Sequence, residues 1–120
     1  MSDRPNDSAV PPKWYYWTGI PNMAIDELPA KELALYIHYV RVAGHDGGAC
    51  WKAARTIAAE VGIHKDTVGT LRDSLERKGW IRVTKRGRDT PLIHIIDRWD
   101  ENKDRYAPFE DDEEWYDEDE

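Results

Sequence analysis

The sequence predicts an α+β fold that is mostly helical, with a three-helix core followed by a two-stranded β hairpin. Three segments between residues 26 and 78 repeat apolar residues at helical spacing, and glycines separate them. Two runs rich in β-branched residues follow the third segment and flank a turn. With 120 residues, 40% of them hydrophobic, the chain can bury one modest core.

Charged residues are distributed unevenly along the chain. The net charge is −7 overall, but residues 51–98 alone carry +5 and residues 99–120 carry −10. We predict a disordered N-terminus over residues 1–13, a folded domain over residues 14–99 and an acidic, disordered tail over residues 100–120. A basic segment followed by an acidic one indicates a nucleic-acid partner together with a regulatory or partner-binding tail.

Several other classes of protein have little support in the sequence. Cys50 is the single cysteine, so no intrachain disulfide can form and a reducing, cytoplasmic compartment fits best. No apolar run approaches the length of about 18 residues that a membrane span needs. The four histidines lack metal-ligand spacing, and no phosphate-binding glycine loop or nucleophile elbow is visible. We therefore expect no metal, no cofactor, no membrane partner and no enzymatic activity.

The N-terminal half contains one long predicted helix and a cluster of aromatic residues. The helix is predicted from Asp26 to Ala43, with Pro29 in its first turn, and the short apolar run Ala49–Trp51 is predicted as a small strand. The four consecutive aromatic residues Trp14–Trp17 precede the helix. They could form a flap packed on the domain or a stacking platform for single-stranded nucleic acid, and both interpretations stay open.

The centre of the chain carries two helices joined by a tight turn. The first is predicted over Ala54–Val61, and Gly62 is placed to end it in a left-handed conformation. The second begins at His64 or Lys65 and runs to about Lys78. Its inward face is predicted to carry Val68, Leu71 and Leu75.

A β hairpin is predicted directly after the second of these helices. Trp80–Arg86 alternates apolar and polar residues as a half-buried strand does, and Leu92–Ile96 can pair back on it. Residues 87–91 between them contain the glycine, aspartate and proline of a turn. This order of helices and hairpin is that of a winged helix-turn-helix domain, in which the hairpin is the wing.

Residues 16–98 also carry a pattern found in a known family. It consists of Ile57, Ala58, Val61, Gly62, Ile63, Thr67, Val68, Leu71, Leu75 and Gly79–Ile81, preceded by Ile20–Asn22, Leu28 and Ala34–Tyr36. It resembles the winged helix-turn-helix domains of phage and plasmid replication initiators and DnaD-type primosomal proteins, and small bacterial transcription regulators share it. The resemblance implies a protein that binds double-stranded DNA, acting in transcription regulation or replication initiation in a bacterial cell or phage-infected host.

Two residues depart from the family's pattern. His64 stands where a capping serine is usual, and Gly69 lies inside the second helix of the pair, where glycine costs about 1 kcal/mol relative to alanine. Gly69 is either tolerated there or needed because DNA approaches too closely for a side chain.

In this fold the second helix meets the major groove, while the wing reaches phosphates or the minor groove. We predict that Arg72 faces outward and contacts a guanine, and that Thr70 reaches a base edge. Asp66 and Asp73 fit a DNA partner less well. They could accept a hydrogen bond from a cytosine amino group or pair with neighbouring cations. The predicted DNA-binding residues are Lys52, Arg55, Lys65, Thr67, Gly69, Thr70, Arg72, Lys85, Arg86 and Arg88.

The C-terminal tail combines many carboxylates with Phe109, Trp115 and Tyr116, which we predict as partner-binding residues. Three interpretations stay open for it. The tail could serve solely to solubilise the protein. It could instead dock on the basic groove of a protein partner, or fold back on its own wing and recognition helix. The alternative to DNA binding is accordingly an adaptor or DNA-mimicking inhibitor that acts through this tail. The sequence is also compatible with a homodimer.

Overall fold

The computed structural model describes residues 17–44 and 48–111, without the side chains of residues 108–111. The predicted disorder of residues 1–13 and the aromatic residues 14–16 lie outside this part of the chain. The described elements are helices α1 Asn22–Glu27, α2 Ala30–Ala43, α3 Ala54–Val61, α4 Lys65–Arg77 and α5 Trp99–Asp111, with strands β1 Ala49–Cys50, β2 Ile81–Arg86 and β3 Asp89–Ile95.

The first helical region is two helices, whereas the sequence analysis predicted one. α1 ends at Glu27, Leu28 adopts an extended conformation, and Pro29 is the N-cap of α2 with a ψ of 160°. Proline has no N–H to donate within a helix, and it disfavours the helical conformation of the residue before it. The prediction of a continuous helix from Asp26, with Pro29 inside its first turn, is therefore wrong.

The core lies between α2, α3, α4 and the inner face of the sheet. Val68 and Leu75 of α4 are completely buried, and Leu71 packs at the margin of the same cluster. This confirms the inward face predicted for α4. The largest completely enclosed side chains are Trp80, Tyr36, Met23, Leu35, Ile57, Leu75 and Ile81.

The strands form one antiparallel sheet in the order β1-β3-β2. β1 pairs with β3 through Cys50 and Ile93, both buried, so the wing is joined to the helical core by a third strand. The turn is shorter than predicted, since β2 ends at Arg86 and β3 begins at Asp89. Residues 87–88 therefore form a two-residue turn, and Gly87 has the positive φ of 62° that tight hairpin turns of this length require.

The chain after the sheet continues as α5, over residues that the sequence analysis assigned to a disordered tail. Arg98 donates to Glu101 at 2.8 Å, and Asn102 accepts from the backbone N–H of Met23 at 2.9 Å. Arg105 forms a 3.0 Å ion pair with Glu27 of α1. The contacts of Asn102 and Arg105 anchor the first turns of α5 to α1, which a charge count alone does not reveal.

Candidate nucleic-acid interface

The turn between α3 and α4 is built as the sequence predicts. Gly62 adopts a φ of 89° and a ψ of 32° at the end of α3, and left-handed values of this kind strongly favour glycine. His64 caps α4, since its Nδ1 accepts a hydrogen bond from the backbone N–H of Asp66 at 3.1 Å. His64 therefore serves as the N-cap residue of α4, in place of the usual serine.

The far end of α4 is held to α2 by a buried carboxylate. Glu32 is 4% exposed and accepts from the hydroxyl of Ser74 at 2.9 Å. The ammonium of Lys78 lies 3.0 Å from the same carboxylate oxygen. Because a buried charge is tolerated only when it is paired and hydrogen-bonded, this network fixes the orientation of α4 against the core.

The outward face of α4 follows from its buried face. Successive residues of an α-helix are about 100° apart, so the side opposite Val68 and Leu75 carries residues 66, 70, 73 and 77. All four are exposed, and they are Asp66, Thr70, Asp73 and Arg77. The outward face of α4 thus carries two carboxylates and one cation.

Arg72 does not lie on this outward face, and the prediction that it does is wrong. It follows the buried Val68 by four residues, which places it one turn further on the inward side. Its side chain is half-buried, and its Nε is buried without a hydrogen-bond partner among the described residues. The positive charge of Arg72 also acts on Tyr39, whose burial raises the pKa of that phenol to about 12.

Gly69 and Thr67 flank the outward face and are half-buried, whereas Lys65 in the first turn is exposed. Apart from the neighbouring residues and backbone of α4 itself, a methyl group added to Gly69 would have no atom of the protein within 4 Å. The fold itself therefore does not require glycine at this position. Glycine either is tolerated there or serves an external partner.

Replacing Gly69 by alanine distinguishes these two roles. We expect Gly69→Ala to stabilise the protein by about 0.5–1 kcal/mol, because alanine restricts the unfolded chain and meets no steric obstacle in the folded one. Urea unfolding followed by circular dichroism measures this change. If DNA occupies the space beside Gly69, the same variant binds DNA less tightly despite its greater stability. Unchanged affinity shows that glycine is only tolerated.

A shallow groove lies between the start of α3 and the start of α4. It is lined by Ala53, Ala54, Arg55, Thr56, Lys65 and Asp66. Ala53, the N-cap of α3, supplies no side-chain hydrogen bond to the helix, so the first backbone N–H groups of α3 are open to an anion. Arg55 and Lys65, both predicted to contact DNA, are exposed and meet at this groove.

Lys52, the other cation predicted near the start of α3, is engaged within the protein. Its ammonium lies 3.1 Å from the carboxylate of Glu60. The same carboxylate is 2.7 Å from Nε2 of His38. Hydrogen bonds from His38 and Lys52 lower the pKa of the Glu60 carboxyl, which keeps this partner charged. Lys52 is therefore not a free cation, and a phosphate would have to compete with Glu60 for it.

The wing carries the remaining cations predicted to contact DNA. Lys85, Arg86 and Arg88 are all exposed around the two-residue turn. The guanidinium of Arg86 is partly engaged, since its Nε donates to the carbonyl of Thr90 at 2.8 Å. Lys85 and Arg88 form no ion pair within the described part of the chain. They are thus the wing cations that remain available to phosphates.

Two further cations were missed in the sequence analysis. Arg77 lies on the outward face of α4, and its spacing of seven residues from Thr70 could have revealed this. Arg82 is exposed at the base of the wing and lines an open groove with Trp17 and Trp99. Trp99 itself is 49% exposed.

Phe109, Trp115 and Tyr116, the tail residues predicted to bind a partner, lie outside the part of the chain whose side chains the structure describes. Within the described part, no group of three or more His, Cys, Asp or Glu side chains could hold a metal ion. None of the helices described is long and apolar enough to cross a membrane.

Comparison with known families bears directly on this surface. A family model described as a helix-turn-helix domain matches residues 26–81, which run from α1 to the first residue of β2. The match therefore covers almost none of the wing. Comparisons with the curated proteins and with the solved structures gave no match. Residues 26–81 are therefore similar to a helix-turn-helix domain, a resemblance that suggests DNA binding.

Proposed function

We propose that this chain binds double-stranded DNA, with α4 in the major groove and the wing on the phosphate backbone. The observation that carries the proposal is the placement of four exposed cations. Arg55, Lys65, Lys85 and Arg88 are exposed on the three elements that a winged helix-turn-helix domain presents to DNA. They lie within the stretch of the chain that has a net positive charge, although the whole chain is acidic.

We further propose that the protein acts in transcription regulation or replication initiation of the phage or mobile-element type. This part rests on the resemblance of residues 16–98 to such domains. A homodimer suits the proposal, because many helix-turn-helix proteins bind two half-sites about one DNA turn apart. Sedimentation with and without a duplex containing a selected site measures the number of chains bound.

The test of DNA binding is a polarisation titration of the full chain with a labelled duplex of random sequence, at several salt concentrations. We expect binding that weakens linearly on a logarithmic salt scale, because each phosphate contact releases counterions. Ordinary non-specific affinity is a Kd of about 10⁻⁴ to 10⁻⁶ M at physiological salt. Absence of binding at 10⁻⁴ M in low salt would overturn the proposal.

That negative outcome would favour the alternative function, an adaptor or DNA-mimicking inhibitor that acts through the acidic tail. One observation supports the alternative. α5 is anchored on α1 and exposes Asp100, Glu101 and Asp104 just before the most acidic residues of the chain. Because the described side chains of α5 contact α1, they also give no support to a tail that folds back on the wing.

A further inference from the structure

The outward face of α4 contains carboxylates where a DNA-binding surface would be expected to contain cations. Asp66 and Asp73 are both exposed there, and carboxylates are repelled by the phosphates on either side of a groove. Their presence on the surface proposed to enter DNA therefore calls for a physical reason. Two reasons are available, since a carboxylate can serve the fold or can accept a hydrogen bond from a base.

The structure separates the two aspartates. Asp66 serves the fold, because it lies in the first turn of α4, where a negative charge suits the helix dipole. Its carboxylate is also 3.4 Å from the ammonium of Lys65. Asp73 has no such role. It lies in the middle of α4, and no hydrogen bond or ion pair to it exists among the described residues, Arg77 included.

We propose that Asp73 is a specificity-determining residue that accepts a hydrogen bond from the N4 amino group of a cytosine in the major groove. The inference rests on the proposed function, since it assumes that α4 enters that groove. Cytosine and adenine both present an amino donor there. In adenine the N7 acceptor lies beside the amino group and repels a carboxylate, whereas cytosine has no acceptor at its major-groove edge.

The surroundings of Asp73 suit a base contact. Thr70 is one turn earlier on the same face and is also exposed, so it can reach the edge of a neighbouring base. Gly69 has no side chain, and nothing of the protein fills the space beside it. A helix with Thr70 and Asp73 at its centre can approach the base edges closely. Thr70 and Asp73 gain little from phosphates, so the exposed cations of the wing and of the α3–α4 groove would supply most of the affinity.

The experiment is selection of bound duplexes from a random library, with the full chain and two variants, Asp73→Ala and Asp73→Asn. We expect the unaltered chain to prefer cytosine at one position by about tenfold, the discrimination that one good base contact gives. Asp73→Ala should lose this preference. Asp73→Asn should shift it to adenine, because an amide can both accept from N6 and donate to N7.

Asp104→Asn is the matched control, since Asp104 is an exposed aspartate on α5 and its replacement changes the charge equally. It should select the same sites as the unaltered chain. If both Asp73 variants keep the cytosine preference and bind all sequences more tightly, Asp73 only repels phosphates and the inference is wrong. That result leaves the proposed function intact, whereas failure of every chain to bind any duplex would overturn both.

Discussion

Replacing Lys85 and Arg88 by alanine together is expected to weaken binding to duplex DNA of every sequence, by roughly tenfold to a hundredfold at low salt. Both cations are exposed at the tip of the wing, and neither has an ion-pair partner in the described part of the chain. Because phosphates carry no base identity, their loss should lower affinity without changing the preferred sequence. The slope of log affinity against log salt should fall by about 1.8, or 0.9 for each lost phosphate contact. Polarisation titrations over a range of salt concentrations measure both quantities.

A matched control for this double variant is available elsewhere on the surface. Lys31 and Lys103 are exposed on α2 and α5, outside the elements proposed to face DNA. Replacing both by alanine changes the net charge by the same amount, so any effect of overall charge appears in both variants. The wing is not the backbone-binding element if the control weakens binding as much as the wing variant, or if the salt slope is the same in all three proteins.

The helix-turn-helix could be predicted almost to the residue, because its determinants are local. Ala54–Val61 was predicted with the bounds that α3 has, and Gly62 ends it as expected. Val68 and Leu75, seven residues apart, identify the buried face of α4. Helical periodicity and the left-handed conformation of a glycine depend on residues that are within one or two helical turns of each other in the sequence. They are therefore visible in a single sequence.

The same periodicity contradicts an outward position for Arg72. Its position four residues after Val68 places it beside the core, whereas the chemistry of its guanidinium taken alone favours a guanine contact. The structure shows a half-buried side chain near Tyr39. The corrected outward face gains Arg77 and loses Arg72. As a result, Asp66 and Asp73 form a larger share of the outward face of α4 than the sequence predicts.

Features that depend on contacts between distant segments could not be predicted in the same way. The start of α5 is held by Asn102 and Arg105, whose partners Met23 and Glu27 are about 80 residues earlier in the chain. Composition alone favours disorder for a stretch that is so acidic and so poor in apolar residues. It carries no information about these contacts. The pairing of β1, a strand that the sequence itself predicts, is a similar case. Its two residues pair with β3 more than 40 positions later, and only the register of the sheet reveals this.

Replacing Trp80 by alanine is expected to be the most destabilising single change among those considered, with a loss of about 3–5 kcal/mol of unfolding free energy. Trp80 is completely buried, and the ring of Tyr36 meets it edge-on with 5.3 Å between centroids. The guanidinium of Arg98 lies 4.1 Å from the centre of the same ring. The substitution therefore removes a large apolar side chain, an aromatic pair and a cation–π contact at the junction of α2, α4 and the sheet.

Urea unfolding followed by circular dichroism measures this loss, and Trp51→Ala is its control. Trp51 is 63% exposed, so the same chemical change there should alter the unfolding free energy by no more than about 0.5 kcal/mol. Since small domains are stable by about 5–15 kcal/mol, the Trp80 variant should unfold at a much lower urea concentration. Equal effects of the two substitutions would mean that Trp80 does not fill the core. Because Trp80 directly follows the turn that ends α4, its loss should also weaken DNA binding by loosening the wing against the recognition helix.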